Sequence, residues 1–560
     1  MVEFAGRIDR LRRRRDQRER RHGEPENAGA AAGGPPAIAT SCPAQEEART
    51  ARLSPAIESK AQARDHRMQS IWWIRRHPWA AMIICCGAQA LVPAGASEAN
   101  AVDATTKRSV HTASEWQRIN DRLFGTPATD LASLATRAYV WGMPLMHQAE
   151  LKDAFARGAA GRPTHPLNAF VHGRILAGPE NHAGVGLNND TIYSLAWLDL
   201  QDGPIVMTAP DFGRRYYTFS MIFADTSAEQ SLGQRTHGGQ LPPIFIHGPG
   251  DAGQAPPGMV DVPSATRFLL IAGRILVRSA AEYPAVHALQ DRLALWSWKD
   301  WQMGNRRPAA MRAATPLTMA GEQLPDDLAF LARLNRVLQE WTVLPKDAAI
   351  IDSLRGLGIG PGLEFHPDRW SEAQKAAIET GFEAGRRLVD ARSRELGLQR
   401  NGWTINYRGP RFGSDYLLRA GVAKDQPNVA IPEEAIYPLA RVDASGSALD
   451  GRHVYRIHFA AGLYPPVGAF WSVTAYDDKG RMMPNAAARY SIGDRSPGLV
   501  HDADGGLTVL VAAALPPGVP APNWLPVDRD RPFYLMLRLY QPSEEILLQR
   551  WMPPPIERID

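Results

Sequence analysis

Cysteine is scarce in this 560-residue chain and is confined to one end of it. All three cysteines, Cys42, Cys85 and Cys86, precede residue 102. If that stretch is removed on maturation, the remaining protein has no disulfide and no thiol. Thiol catalysis and thiolate metal sites are then excluded, because both need a cysteine side chain.

The body of the chain also lacks an excess of either charge. Residues 1–101 carry 16 of the 63 Lys and Arg and 11 of the 59 Asp and Glu, so 47 basic and 48 acidic residues remain in 102–560. The formal net charge of +4 therefore comes from the N-terminus. Nucleic-acid binding is not expected, since a phosphate backbone is held by a one-sided basic surface.

Several catalytic motifs are missing from the sequence. There is no Gly-x-Ser-x-Gly elbow and no Gly-rich phosphate loop of the Walker type. Residues 102–560 also contain no His-x-His or His-Glu-x-x-His pattern for zinc. The sequence thus predicts no metal site and no cofactor.

The first hundred residues fall into two parts. Residues 1–67 contain Arg12-Arg13-Arg14-Arg15 and few large apolar residues, so we expect a disordered Arg-rich tail or an over-extended start before Met68. Residues 68–101 have the pattern of a secretory signal peptide: Arg75-Arg76, an apolar stretch from Ala80 to Val92, and small residues at Ala99-Asn100-Ala101. The paired arginines would also suit a twin-arginine export route.

The apolar stretch of this leader is about half the length that a bilayer requires. We therefore expect no permanent membrane span in the mature form. The expected location is the bacterial periplasm or the medium.

Residues 102–280 are predicted to begin with a helix and continue as strands. Apolar spacing after Asp130, a candidate N-cap, predicts a helix from Leu131 to Trp141 that Gly142-Met143-Pro144 ends. Short Val-, Ile-, Tyr- and Phe-rich runs then predict strands at 191–198, 205–208, 216–223, 243–247 and 267–277. Such closely spaced strands indicate an antiparallel sandwich or barrel.

A predominantly helical connector is predicted over 281–400. Helical spacing covers 281–301, 325–341 and 371–395, and the last of these opens with a capping box, Ser371 to Gln374. Residues 401–560 return to strands, predicted at 453–459, 470–476, 507–511 and 533–539. The chain is therefore mainly β with α, with two β-rich parts flanking the connector.

The motifs of both β-rich parts resemble a known pair of bacterial domains. Residues 138–145 (AYVWGMPL), 188–193 (NNDTIY), 215–217 (RYY) and 233–239 (GQRTHGG) resemble the domain of unknown function 1254. Residues 465–477 (PPVGAFWSVTAYD), 489–495 (RYSIGDR), 523–526 (NWLP) and 538–540 (RLY) resemble its C-terminal companion, the domain of unknown function 1214. The resemblance implies a secreted or periplasmic protein, often a homo-oligomer, with two jelly-roll-like β-sandwich domains and no assigned reaction.

The strongest candidate site is the polar motif Asn188–Tyr193, which leads directly into a strand. Alternation sends Thr191 and Tyr193 to one face of the strand and Asp190 to the other. Asp190 could be a general base, with Asn189 and Tyr193 as ligand donors. The alternative is structural, because Asn and Asp side chains also cap the backbone of tight turns.

Two further segments supply candidate polar residues. Arg215 and Tyr217 stand at the start of the next strand, where Arg215 could form an ion pair with Asp190 or grip a ligand carboxylate or phosphate. Arg235 and His237 lie in a Gly-bearing loop, and His237 is a candidate for proton transfer at neutral pH, although a lone loop histidine is more often simply solvated.

An aromatic set near the C-terminus is a candidate for binding a carbohydrate-like ligand. It consists of Trp471, Tyr476, Tyr490 and Trp524 amid Asn485, Asn523 and Arg495. Flat aromatic faces beside amide donors suit sugar rings. The alternative is that these aromatics belong to a sandwich core.

The resulting hypothesis is an exported two-domain protein with a small or envelope-derived polar ligand in an interdomain cleft. In the enzymatic version it is a hydrolase in which Asp190 or His237 is the base and Arg215 stabilises charge. In the competing version it is a non-catalytic envelope binding or assembly protein, in which the same residues brace the two domains.

The leader predicts where the exported chain begins. N-terminal sequencing of protein recovered from the periplasm is expected to start near Ser97 or Val102, since signal peptidase cuts after small residues. Periplasmic protein that still begins at Met1 would contradict the leader.

Overall fold

The computed structural model describes residues 111–157, 165–181, 184–251, 253–311, 317, 321, 323–340, 342 and 344–560. All of them belong to one unit of the chain, Ala81–Asp560. The tail predicted at 1–67 and the leader predicted at 68–101 lie outside the described residues.

The long helices lie at the start of the described chain and in its middle, and short helices occur between the strands. They are α1 (Ala113–Gly125), α2 (Leu131–Arg157), α3 (Gln234–His237), α4 (Tyr283–Gln290), α5 (Trp298–Gln302), α6 (Asp326–Glu340), α7 (Ala348–Leu354), α8 (Glu372–Arg394), α9 (Tyr416–Asp425) and α10 (Glu544–Leu547). Among the described helices, none is both long and apolar enough to cross a membrane.

The strands divide between the two halves of the chain. The N-terminal ones are β1 (Val171–His172), β2 (Thr191–Asp199), β3 (Ile205–Thr208), β4 (Tyr217–Phe223), β5 (Ala228–Gly233), β6 (Ile244–His247), β7 (Val260–Pro263), β8 (Phe268–Leu276) and β9 (Ala294–Ser297). The C-terminal ones are β10 (Leu398–Arg400), β11 (Trp403–Ile405), β12 (Ala435–Ile436), β13 (Leu439–Ala440), β14 (Tyr455–Phe459), β15 (Val467–Asp477), β16 (Ser491–Gly493), β17 (Leu507–Ala512), β18 (Trp524–Pro526), β19 (Phe533–Pro542) and β20 (Ile556–Arg558).

Two sheets of the N-terminal half share one apolar core. A five-stranded sheet in the order β1-β2-β8-β4-β5 faces a four-stranded sheet in the order β7-β6-β3-β9. Ile192, Phe219 and Ile244 meet between them. The opposite side of the five-stranded sheet carries Trp197 and Leu270, which pack against helices α2, α6, α8 and α9. Strand β2 is therefore buried on both faces.

Two sheets of the C-terminal half share a second core. The larger has the order β10-β11-β13-β19-β15-β16, with β12 also paired to β19, and the smaller has the order β18-β17-β14-β20. Val473 and Leu537 of the larger sheet meet Ile457 and Val509 of the smaller. Neighbours are antiparallel except for β6–β7 and β17–β18. The described sheets are open, so the barrel alternative is wrong. The fold is mainly β with helices.

The predicted strand positions agree closely with the structure. β2, β3, β4, β6 and β8 begin and end within one residue of the predicted bounds, because short apolar runs bounded by Gly, Pro and Asp mark buried strands strongly. The capping box of α8 is also confirmed, with Gln374 N donating to Ser371 Oγ at 3.3 Å.

Two helix boundaries were predicted wrongly. Helix α2 does not end at Gly142 but continues through Pro144 to Arg157. An interior proline costs about 3 kcal/mol, but Met143, Leu145 and Met146 are buried around it, and each such burial stabilises by about 1.5–3 kcal/mol.

The second misjudged boundary lies in the range 281–301, predicted as one helix. It contains strand β9, which pairs with the edge of β3 through Met207 and Leu295. Tertiary pairing with an open strand edge here outweighs local helical spacing.

The crossing of α2 and α8 depends on glycine. A Cβ added to Gly381 would lie 2.2 Å from Ala132 O and 2.7 Å from Ala135 Cβ. The first of these atoms is backbone, so it cannot move without separating the helices. Gly381 therefore sets how closely α8 approaches α2.

We predict that Gly381→Ala destabilises the protein by about 1–3 kcal/mol, because overpacking exceeds the gain of about 1 kcal/mol from alanine's helix propensity. Chemical denaturation would measure the free energy of unfolding. Thr380→Ala, at the exposed neighbouring position of the same helix, is the matched control and should change it by less than about 0.5 kcal/mol. A stability gain in Gly381→Ala would contradict this account of the crossing.

Candidate functional site

The Asn188–Tyr193 motif begins as a side-chain-capped turn. Asn188 Oδ1 accepts hydrogen bonds from Asp190 N at 2.9 Å, Thr191 N at 2.7 Å and Thr191 Oγ1 at 3.0 Å. Asn189 donates through Nδ2 to Ala177 O. The structural interpretation thus holds for these two amides, which fix the entry into β2.

Asp190 joins the two halves of the chain. Its carboxylate is 3% exposed. One oxygen accepts from Ser472 Oγ of β15 at 2.7 Å, and the other accepts from Arg495 Nη2 at 2.6 Å. Arg495 also lies over the ring of Phe470, 3.9 Å from its centroid. Both carboxylate oxygens of Asp190 are therefore bound by C-terminal side chains.

The predicted ion pair between Arg215 and Asp190 is wrong. Arg215 Nη1 instead binds Glu282 Oε2 at 2.6 Å and Leu276 O at 2.7 Å. The sequence interpretation took the arginine at the start of the next strand, whereas Asp190 faces the C-terminal sheet and pairs with Arg495, 305 positions away.

The face of the larger C-terminal sheet that Asp190 meets is unusually polar. Alternation along β15 and β19 sends Val473 and Leu537 into the core and turns Ser472, Thr474 and Arg538 outward, where all three are buried. Arg538 donates to Thr474 Oγ1 at 2.9 Å, Tyr476 OH at 2.6 Å and Gly186 O at 2.6 Å. This outer face therefore holds the segment 186–190 by direct hydrogen bonds.

A partly open cavity of about 60 Å³ lies beside this contact. Because about 10–15 Å³ of such space holds one water, the volume suits several waters or one small polar group. Both halves of the chain and the end of α9 line it, and we call it the junction cavity. Its lining is Val185, Gly186, Asn188, Tyr193, Arg274, Asp425, Gln426, Pro427, Asn428, Val429, Tyr437, Met536, Arg538 and Tyr540.

Arg274 and Tyr193 stand opposite each other on neighbouring strands at the cavity wall. They are direct partners in the pairing of β2 with β8, and the guanidinium carbon lies 5.9 Å from the centre of the Tyr193 ring. Arg274 Nη2 donates to Asn428 O at 3.3 Å, while Nη1 is buried without a hydrogen-bond partner among the described residues. A cationic donor is thus available to the cavity.

Phenol groups supply further donors. The Tyr437 hydroxyl is buried and has no hydrogen-bond partner within the described ranges. Burial raises the pKa of Tyr437, and burial also raises that of Tyr540. Both phenols are consequently protonated at neutral pH and can donate.

The remaining predicted residues of the N-terminal half do not line the cavity. Tyr217 is buried in the N-terminal core and stacks on Phe212 with centroids 3.9 Å apart. Arg235 binds the buried carboxylate of Glu434 at 2.9 Å. His237 Nδ1, at the end of the short helix α3, lies 2.7 Å from the neighbouring Thr236 Oγ1.

The residues of the C-terminal aromatic set lie in the core and the loops of the C-terminal sheets. Trp471 is 3% exposed and packs on Phe459, as the core alternative for these aromatics anticipated. Tyr490 packs beside the apolar cluster at the junction. Asn523 bonds to the backbone of Val500 and Thr508, and Trp524 Nε1 donates to Ala512 O. Of the binding residues predicted from sequence, Tyr193 alone lines the junction cavity.

The sequence interpretation missed Arg274, Tyr437 and Arg538. Two of them carried a readable signal, since Arg274 and Arg538 are single charges inside otherwise apolar strands, FLLIAGRIL and FYLMLRLYQP. Charged residues are seldom buried without a specific partner or ligand. Tyr437 stands in the short connection between β12 and β13 and gave no comparable signal.

A serine–histidine pair occurs next to the motif but is enclosed. His172 Nδ1 lies 2.9 Å from Ser194 Oγ, which also accepts from Gln290 Nε2 at 3.1 Å. Ser194 is fully buried, and burial lowers the pKa of His172 to about 4. A hydroxyl without solvent contact is a structural group rather than an accessible nucleophile. Across the described residues, no cluster of three or more His, Cys, Asp or Glu is placed to hold a metal.

Family comparisons agree with the motifs quoted above. Residues 167–296 match the family described as protein of unknown function DUF1254, and residues 434–544 match protein of unknown function DUF1214. The predicted resemblance and its order are thereby confirmed. No match was found among curated proteins.

Solved structures provide a similarity of fold. The VPA0106 protein from Vibrio parahaemolyticus is 22% identical, with a TM-score of 0.56 over 77% of this chain and 100% of its own. An uncharacterised protein from Burkholderia cenocepacia is 15% identical and covers 80% of this chain and 94% of its own, with a TM-score of 0.39. The first supports the mainly β architecture with helices.

Asp190→Asn tests whether the junction depends on its charge. We predict a loss of about 2–4 kcal/mol in the free energy of unfolding, because Arg495 would lose its buried partner and keep only Asp494, at 3.9 Å. Asp291→Asn is the matched control, since the Arg174–Asp291 pair is exposed, and should cost less than about 1 kcal/mol. Equal losses measured by denaturation would contradict a structural role for Asp190.

Proposed function

We propose that this chain, which carries the DUF1254 and DUF1214 domains in that order, is an exported protein that binds a small polar ligand in the junction cavity. The observation that carries the proposal is a cavity of about 60 Å³, lined from both halves of the chain, into which polar side chains converge. Concave sites with a few convergent polar groups are the usual form of small-molecule sites.

Unused hydrogen-bonding groups support binding at this position. The Tyr437 hydroxyl and Arg274 Nη1 are buried and have no partners among the described residues. Leaving a buried donor unsatisfied costs about 1–3 kcal/mol, which a ligand's acceptor would recover. Lining residues whose hydrogen bonds are already made within the protein, such as Arg538, keep the cavity rigid.

The proposal is binding rather than hydrolysis. Neither Asp190 nor His237 lines the junction cavity. Asp190 is 3% exposed and its two oxygens are bound by Ser472 and Arg495, so it is not accessible to a substrate in the cavity. A general base must lie within hydrogen-bond reach of the proton it takes.

The proposed architecture is two jelly-roll-like antiparallel β-sandwich domains joined by a helical connector. It is supported by two separate apolar cores, each between its own pair of sheets. The proposed location is the bacterial periplasm or the medium, which the leader pattern at 68–101 supports.

An assembly role in the envelope is the second candidate. The ion pairs Asp190–Arg495 and Arg235–Glu434 favour it, because they brace the two halves without any ligand. In that case the cavity would hold only water.

Blocking the cavity distinguishes the two candidates. We predict that the exported chain binds at least one compound from a panel of glucose, glycerol, acetate, benzoate and inorganic phosphate, measured by calorimetry. Val185→Trp, in the lining, should weaken that binding at least tenfold, because the indole fills the cavity. Val500→Trp, at a position 48% exposed and outside the lining, is the matched control and should leave binding unchanged.

Binding that persists in Val185→Trp would place the ligand elsewhere and overturn the proposal. A panel with no binding at all would favour the assembly role.

A further inference from the structure

The charges around the junction cavity do not balance. Three charged side chains line it: Arg274, Arg538 and Asp425. Asp425 already forms an ion pair with Arg441 at 2.7 Å. The lining therefore presents two arginines and no free carboxylate.

The two arginines differ in how their charge is met. Arg538 is 2% exposed, uses its donors on Thr474, Tyr476 and Gly186, and its charge interacts with that of Asp190. Arg274 forms no ion pair with a carboxylate of the described residues: Nη2 donates to the carbonyl of Asn428, and Nη1 is unbonded. Shielding a guanidinium from water without a counter-ion is costly. Asp190 and Asp494, which lies 3.9 Å from Arg495, supply two carboxylates for Arg495 and Arg538. One positive charge thus remains to be neutralised at Arg274.

Neighbouring phenols complete a set of donors around Arg274. The Tyr193 oxygen accepts two hydrogen bonds from Asn188, from N at 3.2 Å and from Nδ2 at 2.5 Å. Those bonds occupy its lone pairs, so its own proton is directed elsewhere. The Tyr437 hydroxyl has no hydrogen-bond partner among the described residues, so its proton is also available. One guanidinium and two phenols therefore present hydrogen-bond donors, and a ligand that binds there must supply the acceptors.

We infer that the junction cavity binds the carboxylate of a monoanionic organic acid, with Arg274 as its counter-ion and the hydroxyls of Tyr193 and Tyr437 as donors. This inference rests on the proposed function and specifies its ligand class. A carboxylate has two oxygens in a plane that match a guanidinium, and its single charge equals the one uncompensated charge. A phosphate dianion would leave one negative charge in excess.

The binding test uses the exported chain and calorimetry at constant ionic strength, with chloride replaced by the anion. Acetate and benzoate are the carboxylate probes, and glycerol and glucose are the neutral probes. Inorganic phosphate, at a pH well above its second pKa, is the dianion. We expect a carboxylate to bind most tightly. Arg274→Gln should weaken its binding at least 30-fold, because the counter-ion is lost.

Two variants keep the result interpretable. Arg278→Gln makes the same change in net charge just past β8, at a side chain 57% exposed, and should bind as the wild type does. Tyr437→Phe removes one unbonded hydroxyl and should weaken carboxylate binding about three- to tenfold while the fold is kept. It therefore tests the inference even if Arg274→Gln does not fold.

The outcomes separate this inference from the proposed function. Tighter binding of phosphate than of either carboxylate overturns the ligand class. Binding of glycerol or glucose alone, abolished by Val185→Trp, overturns the inference and leaves the proposed function standing. If no probe binds in a manner that Val185→Trp abolishes, both fail. Equal carboxylate affinity in wild type, Arg274→Gln and Tyr437→Phe overturns the inference.

Discussion

The burial of the 186–190 segment against the polar outer face of β15 and β19 is the contact on which the junction depends. A sheet face that carries Ser472, Thr474 and Arg538 cannot be buried by apolar residues without leaving its donors unsatisfied. The segment supplies the missing acceptors as the Asp190 carboxylate and the Gly186 carbonyl. Hydrogen bonds thus join residues that are hundreds of positions apart in the chain, and they fix how the N-terminal motif packs on the C-terminal sheet.

The same contact explains why a cavity with unmatched donors persists beside it. Asp190 meets Arg495 directly and its charge also interacts with that of Arg538. Asp494 lies 3.9 Å from Arg495, so two carboxylates serve these two arginines. Arg274 lies on β8, the strand next to the motif, and forms no ion pair with a carboxylate in the part of the chain that the structure describes. Complementary charges hold this junction between the sheets together. A ligand gains most binding free energy where a buried charge at the junction still lacks its partner.

Much of the fold was readable from local pattern, whereas the site was not. Short apolar runs between turn residues located β2, β3, β4, β6 and β8 to within a residue, because strands buried on both faces are apolar along their length. The helix through Pro144 and the strand at Ala294–Ser297 were misjudged because packing outweighed a local breaker in one case and local helical spacing in the other. The structural role of Asn188 was anticipated, since a side chain that caps its own turn needs only neighbours in sequence.

The amino-acid sequence by itself determined the family resemblance, the mainly β composition, the near-neutral body and the polar entry into β2, because each of these is a property of adjacent residues or of their spacing. Only the tertiary structure decided which partners the polar residues take. Asp190 bonds to Arg495 rather than Arg215, and Arg274, Tyr437 and Arg538 converge on one cavity. Such contacts join residues more than 80 positions apart, and their pairing follows from how sheet faces meet, which no local pattern encodes.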